Sequence, residues 1–314
     1  EWLEHNNLLN EVGGLSALGV LAQNTPSAAN IKAYADIVRD KSVVRQLISV
    51  GNQVAGSAYE AEGRNTSELL NEAEKLVFDI AEQGSRGKSG FKSIRTLLTA
   101  AVDRIDTLSQ QDNPLTGVST GFTDIDEMTA GLQPADLIIV AGRPSMGKTT
   151  LAVNFGENAA IKNQVPVAIF SMEMPGESLA LRMMSSLGHI DQHKIRTGKL
   201  DDDDWPRLTS AVSLLDAAPI FIDDTPALSP MEMRARARRL KREHDIGLIV
   251  IDYLQLMQIG GTSENRTNEI SEISRNLKAL AKELDVPVIA LSQLNRSLEQ
   301  RSDRRPVMSD LRES

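Results

Sequence analysis

The first quarter of the chain carries hydrophobic residues at helical spacing. Apolar side chains recur every three or four positions in two stretches, as they do on one face of an amphipathic helix. These side chains are Ile31, Tyr34, Val38, Val44, Leu47, Ile48, Val54 and Ala58 in the first stretch and Leu69, Ala73, Leu76, Val77 and Ile80 in the second. Thr25-Pro26 is typical of a helix start, and Asn65 and Glu68 resemble a capping pair. The pattern predicts an all-α helical hairpin within residues 1–84.

A segment rich in glycine and serine, residues 83–90, follows the hairpin and has the composition of a flexible linker. Residues 91–109 then place their apolar side chains on one helical stripe. This stripe consists of Ile94, Leu97, Leu98, Ala101, Val102, Ile105 and Leu108. It can pack on its own domain or dock on another subunit, and periodicity does not separate the two. We expect a linker and a linker helix over residues 85–112.

From about Leu115 the pattern changes to short apolar runs that alternate with helical stretches. The runs lie at residues 136–141, 165–171, 218–222, 247–252 and 286–292. They lack polar alternation, which is typical of strands buried on both faces of a parallel sheet. The clearest crossover helix carries Ile270, Ile273, Leu277, Leu280 and Leu284. Residues 113–314 are therefore expected to form one α/β domain with a mostly parallel sheet.

The composition excludes several classes of protein. With no cysteine among 314 residues, disulfides and thiolate chemistry are ruled out, and the four histidines are too scattered for a zinc site. The sequence has no apolar run of transmembrane length and no signal-peptide pattern, so we expect a cytoplasmic protein without a membrane partner. A net charge of −9 argues against a protein that coats nucleic acid over its whole surface, although it allows local basic loops.

Residues 142–149, Gly-Arg-Pro-Ser-Met-Gly-Lys-Thr, match the P-loop pattern G-x-x-x-x-G-K-[ST] between a predicted strand and a helical stretch. The glycines let backbone amides surround phosphates, and the helix N-terminus adds its positive end. Lys148 is expected to reach the β- and γ-phosphates, and the Thr149 hydroxyl to ligate Mg²⁺. Such a string also arises as an ordinary glycine turn. Its place between strand and helix favours the binding and hydrolysis of ATP or another nucleoside triphosphate.

Three polar residues lie at the end of a predicted strand or just after it, at the edge where open parallel sheets bind ligands. Asp252 is expected to hold Mg²⁺ through water as a Walker B aspartate, the alternative being a cap on the next turn. Glu173 is placed to polarise the attacking water as a general base, the alternative being a solvated loop carboxylate. Gln293 can hydrogen-bond a γ-phosphate, although a loop glutamine without further context is usually just solvated.

The remaining charged clusters favour structural explanations. Asp201–Asp204 precede a helical stretch, and we interpret them as an N-terminal cap rather than a metal site. The basic run between Arg234 and Arg242 is expected to be a solvated helix face, with a subunit interface or nucleic-acid contact as the alternative. The loops at residues 260–266 and 295–314 are expected to be mobile and lack aromatic residues. Any nucleic-acid contact there should therefore read phosphates rather than bases.

Together these segments resemble the bacterial DnaB-type replicative DNA helicases. The resemblance rests on residues 131–149, 169–175, 248–257, 277–298 and 309–314, and with the hairpin it covers nearly the whole chain. It implies a RecA-like P-loop NTPase core, a homohexameric ring, and ATP-driven 5′-to-3′ movement on single-stranded DNA that unwinds the duplex at the replication fork. It further implies that the hairpin belongs to a collar that contacts primase, that residues 91–109 dock on a neighbouring subunit, and that a helicase loader is a partner.

The resemblance also assigns roles to single residues. The family's phosphate-binding loop is matched by Ser145, Gly147, Lys148, Thr149 and Thr150, to which the motif adds Gly142. Glu173 matches the catalytic glutamate, and Asp252 matches the Walker B aspartate. Gln293 matches the glutamine that contacts the γ-phosphate, and Arg182 matches an arginine of the nucleotide site that periodicity does not single out.

At the end of the chain, Arg312 and Glu313 match the DNA-contacting loop of the family. The chain begins at Glu1 without a methionine and stops at Ser314, so we expect a fragment that lacks part of the collar and the family's arginine finger. Two alternatives stay open. One is another RecA-like DNA-dependent ATPase, such as a recombinase or a repair ATPase, against which the hairpin and linker helix speak. The other is an ATP-gated scaffold that recruits primase.

Overall fold

The computed structural model describes residues 31–60, 93–109, 115–258, 266–301 and 303–311, together with Ser16 and seven single positions between residues 66 and 80. The predicted helix start at Thr25-Pro26 and the predicted capping pair Asn65 and Glu68 lie outside these residues. The chain divides into two compact units, Glu1–Asp103 and Arg104–Ser314. The limits given above for the hairpin, the linker and the α/β domain stay predictions.

Nearly all the described residues of the first unit are helical, as the periodicity predicts. Helix α1 spans Ile31–Tyr59. The single positions that are also helical are Thr66, Leu69, Glu72, Ala73, Leu76, Val77 and Ile80. Val54 and Ala58 of α1 line a cavity of about 240 Å³ together with Leu69 and Leu76. The two apolar stretches of the predicted hairpin therefore face each other near the end of α1.

Helix α2 spans Ile94–Ser109. It begins where it does because the Ser93 hydroxyl accepts a hydrogen bond from the Thr96 amide at 3.4 Å, which satisfies one of the unpaired amides of the first turn. Its predicted apolar stripe lies in solvent, with Ile94 69% and Leu97 45% exposed. Most of the stripe is therefore exposed to solvent in the part of the chain that the structure describes.

Five parallel strands form the sheet of the second unit. They are β1 (Leu137–Gly142), β2 (Val167–Ser171), β3 (Ile220–Asp223), β4 (Leu248–Asp252) and β5 (Val288–Gln293). Their order across the sheet is β1-β5-β4-β2-β3. Every strand lies within two residues of a predicted apolar run. Because all the strands point the same way, the residues that follow β1, β2, β4 and β5 meet at one edge of the sheet.

Helices cover both faces of this sheet. They are α3 (Thr123–Thr129), α4 (Lys148–Asn163), α5 (Gly176–Gly188), α6 (Gln192–Thr197), α7 (Asp204–Asp216), α8 (Pro230–His244) and α9 (Arg266–Leu284), with 3₁₀ turns at Leu254–Leu256, Arg296–Gln300 and Met308–Leu311. Alternate residues of each central strand enter opposite layers. Phe170 and Ile251 pack with α8 and α9, whereas Ile169 and Val250 pack with α4 and α5. Burial on both faces is the physical reason for the uninterrupted apolar runs, and the predicted α/β class is confirmed.

The aspartate run is used differently from the expected cap. Helix α7 begins at Asp204, and Asp203 at its cap position makes no capping hydrogen bond through its side chain. Asp204 is buried instead, where it accepts from the Asp201 amide at 3.0 Å and pairs with Lys194 and Arg207. The interpretation of the run as a cap is therefore wrong, because Asp204 ties α7 to α6 rather than capping its own first turn. No metal-binding group of three or more acidic, histidine or cysteine side chains exists within the described ranges.

The basic run of α8 is largely paired within the second unit. Arg234 and Arg238 both bind Glu283 of α9, Arg236 binds Asp223 at 2.6 Å, and Lys241 binds Asp245. With the pair between Arg239 and Glu243, five of the six cations of the run have a carboxylate partner. Much of the expected solvated face is therefore engaged in ion pairs within the second unit.

Candidate nucleotide-binding site

The P-loop occupies the turn between β1 and α4, where the motif predicts it. Gly147 has a φ of 82°, a left-handed conformation that glycine adopts without strain, and Lys148 begins α4 directly after it. A Cβ on Gly142 would lie 3.2 Å from Cγ of Lys148, so glycine here leaves room for the lysine stem. The amides at the start of α4 have no partners within the helix and can bind phosphate.

Lys148 lies against the backbone of its own loop. Its Nζ donates to the carbonyl of Gly142 at 2.9 Å and to that of Arg143 at 3.4 Å. Burial lowers the pKa of Lys148, and the charge of Arg143 lowers it further, while Asp252 and Glu173 act in the opposite direction. Phosphate oxygens would replace these carbonyls as acceptors for the ammonium group.

Asp252 ends β4 directly beside the loop. The Thr149 hydroxyl donates to its Oδ2 at 2.9 Å, and the side chain is buried. Burial raises the pKa of Asp252, and the charge of Glu173 raises it further, whereas Thr149, Lys148 and Arg182 lower it. Its Oδ1 is buried without a hydrogen-bond partner among the described residues. A hydroxyl and an unsatisfied carboxylate suit Mg²⁺, which takes one or two protein oxygens together with substrate phosphates.

Glu173 follows β2 by two residues. The turn that carries it is held by Ser171, whose hydroxyl donates to the Met174 carbonyl at 2.7 Å, and by the Met172 amide, which donates to the Asp252 carbonyl at 2.8 Å. These bonds fix the end of β2 to the end of β4. Glu173 consequently faces the same cavity as Lys148, as its position after a strand predicts.

A cavity of about 410 Å³ opens at this sheet edge. It is lined by Pro144, Ser145, Gly147, Lys148, Thr149, Thr150, Glu173, Met174, Arg182, Gln192, Tyr253 and Gln293. The predicted nucleotide residues all line it except Gly142 and Asp252, which lie in the strand ends next to it. Gln192 and Tyr253 were not predicted. Tyr253 directly follows the Walker B position, a signal that was available, whereas nothing in the local pattern marks Gln192.

Arg182 reaches the cavity from α5, and its Nε is buried with no hydrogen-bond partner in the described part of the chain. A guanidinium with a buried and unused donor favours an anionic ligand. The resemblance to the helicase family predicted this arginine, whereas periodicity did not.

Gln293 is the last residue of β5, opposite Gly142 in the register of the sheet. A second glutamine supports it from the 3₁₀ turn after β4. Gln255 donates through Nε2 to the Ser292 hydroxyl at 3.0 Å and accepts from the Gln293 amide at 3.4 Å. Sequence reasoning missed Gln255, because its partner lies 38 residues further along the chain. The predicted DNA-binding residues Arg312 and Glu313 lie outside the described residues.

A parallel sheet with a P-loop after β1 and carboxylates at the carboxyl ends of β4 and β2 defines a P-loop nucleoside triphosphatase core of the RecA-like type. Comparison of the chain with family models narrows this class. The model described as DnaB-like helicase C terminal domain matches residues 117–314, and the model for the DnaB-like helicase N terminal domain matches residues 1–40. The chain therefore belongs to the DnaB-like helicase family, which confirms the resemblance seen in its motifs.

Similar proteins carry the same family name. Replicative DNA helicase DnaB of Pasteurella multocida is 54% identical over 319 residues, which cover 100% of this chain and 68% of that protein. Replicative DNA helicase DnaC of Bacillus subtilis is 49% identical, covering 99% of this chain and 68% of that protein. The chain thus spans about two thirds of the length of these relatives.

Solved structures of similar proteins share the fold. One of them, an isolated ATPase domain, matches with a TM-score of 0.67 at 38% identity, covering 72% of this chain and 79% of that one. A DnaB-like replicative helicase, described with its interactions with primase, matches with a TM-score of 0.73 at 33% identity. The match covers 98% of this chain and 70% of that one. Among the described residues, no helix has the length and apolar character needed to span a bilayer.

Proposed function

We propose that this chain is a replicative DNA helicase that hydrolyses ATP, moves 5′ to 3′ along single-stranded DNA and separates the strands at the replication fork. The observation that carries the proposal is the convergence of five side chains at one sheet edge in a member of the DnaB-like family. These are Lys148, Thr149, Glu173, Asp252 and Gln293. The names of the relatives, replicative DNA helicases at about half identity, support it further.

The P-loop binds the triphosphate in this proposal. Lys148 exchanges its two carbonyl acceptors for oxygens of the β- and γ-phosphates, and the amides of Gly147 and its neighbours bind phosphate as well. Ser145 and Thr150 complete the loop around the phosphates, and Arg182 offers its unused Nε donor to them. Thr149 and Asp252 would hold Mg²⁺, Asp252 through water. The ion neutralises charge on the phosphates when bound.

Glu173 acts as the general base. It accepts a proton from the attacking water while the water oxygen bonds to the γ-phosphorus, and the bond from that phosphorus to the bridging oxygen of ADP breaks. The carboxylates of Glu173 and Asp252 lie close enough for their charges to interact, since Glu173 raises the pKa of Asp252. Gln293 contacts the γ-phosphate and so distinguishes the bound state before hydrolysis from that after it.

The proposal includes an assembly. Six copies form a ring, in which the exposed stripe of α2 docks on a neighbouring subunit. The helical first unit contacts primase, and a helicase loader places the ring on DNA. Arg312 and Glu313 contact the single strand, and the cellular location is the cytoplasm.

The test is the unwinding of a forked DNA duplex by the full chain, with ATP and with a non-hydrolysable analogue. We expect strand separation with ATP alone, and ATPase activity that rises with single-stranded DNA. Lys148→Ala should abolish both activities. Lys162→Ala, an exposed lysine in the last turn of the same helix, is the matched control and should leave them intact.

A ring that hydrolyses ATP but ignores single-stranded DNA would contradict the motor. Strand exchange without unwinding would instead indicate a recombinase-type ATPase. Glu173→Gln separates the motor from the ATP-gated scaffold. A motor without its general base cannot unwind, so strand separation that survives in this variant would favour the scaffold.

A further inference from the structure

Arg143, the second residue of the P-loop, binds the segment that follows Gln293. Its Nη1 donates to the Leu294 carbonyl at 2.8 Å and its Nε donates to Glu299 Oε1 at 2.7 Å. The Leu294 amide donates to the Gly142 carbonyl at 3.2 Å beside them. The arginine side chain is only 15% exposed, so water competes weakly for these bonds. A planar guanidinium that bridges two acceptors holds them in a defined relative position.

The backbone carbonyl of Arg143 accepts a hydrogen bond from Lys148, the lysine proposed above to bind the triphosphate. Lys148 donates to the carbonyls of Gly142 and Arg143, the two residues whose carbonyl and side chain bind the segment after Gln293. Arg143 does not line the nucleotide cavity, and its guanidinium is engaged elsewhere. When phosphate takes up the Lys148 ammonium, the backbone at Arg143 loses a partner. Occupancy of the nucleotide site therefore changes the hydrogen bonding of the backbone that carries the Arg143 side chain.

Asp310 holds the segment after Gln293 together through hydrogen bonds to other residues of that segment. This carboxylate is buried, and its Oδ2 accepts from Arg301 Nη2 at 2.5 Å and from the Val307 amide at 2.8 Å. The Asp310 carbonyl accepts from the Asn295 amide at 3.2 Å, which closes the segment. A displacement at the start of the segment is consequently passed to residue 310, two positions before Arg312.

We propose that Arg143 is a positioning residue that makes the placement of residues 294–311 depend on the occupancy of the P-loop. The effect on DNA rests on the function proposed above, because it requires that the residues after this segment contact the single strand. The dependence on nucleotide requires only that the P-loop binds a triphosphate. The two parts can therefore be tested separately.

Hydrogen exchange of the full chain, with and without a non-hydrolysable ATP analogue, tests the first part. We expect the analogue to change the exchange of amides in residues 294–311 in the wild type. Arg143→Ala should lose this change, since two hydrogen bonds from a charged donor bias an equilibrium by at least roughly tenfold. An exchange pattern that does not respond to the analogue in the wild type would overturn the inference.

Glu299→Arg removes the contact between Arg143 and Glu299 without altering the P-loop. Glu299 is exposed, so the substitution is tolerated, and it places a second guanidinium against Arg143. Glu243→Arg is the matched control, because it makes the same charge reversal at another exposed glutamate, one that pairs with Arg239 on α8. We expect Glu299→Arg to lose the response to the analogue and Glu243→Arg to keep it. A normal response in both Arg143→Ala and Glu299→Arg overturns the inference, and if Arg143→Ala fails to bind the analogue, Glu299→Arg decides alone.

ATPase measurements with single-stranded DNA test the second part. Glu299→Arg should keep the basal rate and the KM for ATP, while the stimulation by DNA falls by roughly tenfold. Stimulation equal to that of the wild type would show that the link does not reach DNA. If the wild type itself shows no stimulation, the proposed helicase function fails, and the exchange experiment still decides the role of Arg143.

Discussion

Glu157 is a carboxylate buried in the layer between the P-loop helix α4 and helix α5. Its side chain is 3% exposed, and Oε2 accepts from the Ser186 hydroxyl at 3.1 Å. The amide of Asn154, with its nitrogen turned toward these acceptors, donates to the same oxygen at 3.1 Å and to the Thr150 carbonyl at 3.2 Å. Oε1 has no hydrogen-bond partner among the described residues. Burial raises the pKa of Glu157 to about 7, and the bond from Ser186 offsets only part of this effect.

The raised pKa has a defined consequence for stability. Below pH 4.5 the carboxyl is protonated in both the folded and the unfolded chain, and its ionisation contributes nothing. Between pH 4.5 and about 7 only the unfolded chain ionises freely, so the free energy of unfolding falls as the pH rises, and it levels off above pH 7. The difference between the two pKa values corresponds to about 3 kcal/mol. Glu157→Gln removes this pH dependence. The amide also changes the free energy of unfolding by an amount of its own, but this amount is the same at every pH.

Urea unfolding at a series of pH values measures the effect. Trp205 on α7 is a suitable probe, because α7 packs on α5, which carries Ser186, and Trp2→Phe in every variant makes it the sole tryptophan. We expect the free energy of unfolding of Glu157→Gln, minus that of the parent, to rise by about 3 kcal/mol between pH 4.5 and 8. Glu243→Gln, at an exposed position on α8, should show a much smaller change. A difference that is constant over this range would refute the reasoning.

Three further predictions concern the site and its support. Asp252→Asn should raise the Mg²⁺ concentration needed for half-maximal ATPase activity by about tenfold or more, and an unchanged Mg²⁺ titration would exclude it as a metal ligand. Arg182→Ala should weaken ATP binding by roughly tenfold, measured by calorimetry, with Arg239→Ala as a control that binds normally. Asp126→Asn should lower the free energy of unfolding by about 2 kcal/mol in urea, because Asp126 binds the turn at residues 119–121. Burial acts to raise the pKa of Asp126, but these hydrogen bonds outweigh it and lower the pKa below 3.8. The stabilisation is therefore present above pH 3.8 and is lost as the pH falls further. A variant as stable as the parent at pH 7 would contradict this prediction.

The sequence by itself was sufficient for features that depend on neighbouring residues. Each strand of the sheet was located within two residues, because a strand buried on both faces requires an unbroken apolar run. The P-loop was recognisable because phosphate is bound by consecutive backbone amides, so its whole pattern lies within residues 142–149. Asp252, Glu173 and Gln293 could be placed at one sheet edge because the carboxyl ends of parallel strands share an edge.

Only the tertiary structure decided the partners of side chains that meet across long stretches of chain. The pairing of Arg143 with Leu294 and Glu299 joins residues more than 150 positions apart, and no local pattern encodes it. The same holds for the strand order β1-β5-β4-β2-β3, since apolar runs show that strands are buried but not which strands are neighbours. Asp204 was misread as part of a cap for the same reason. A helix start attracts acidic residues in general, and the position of Lys194 beside it became visible only in the folded chain.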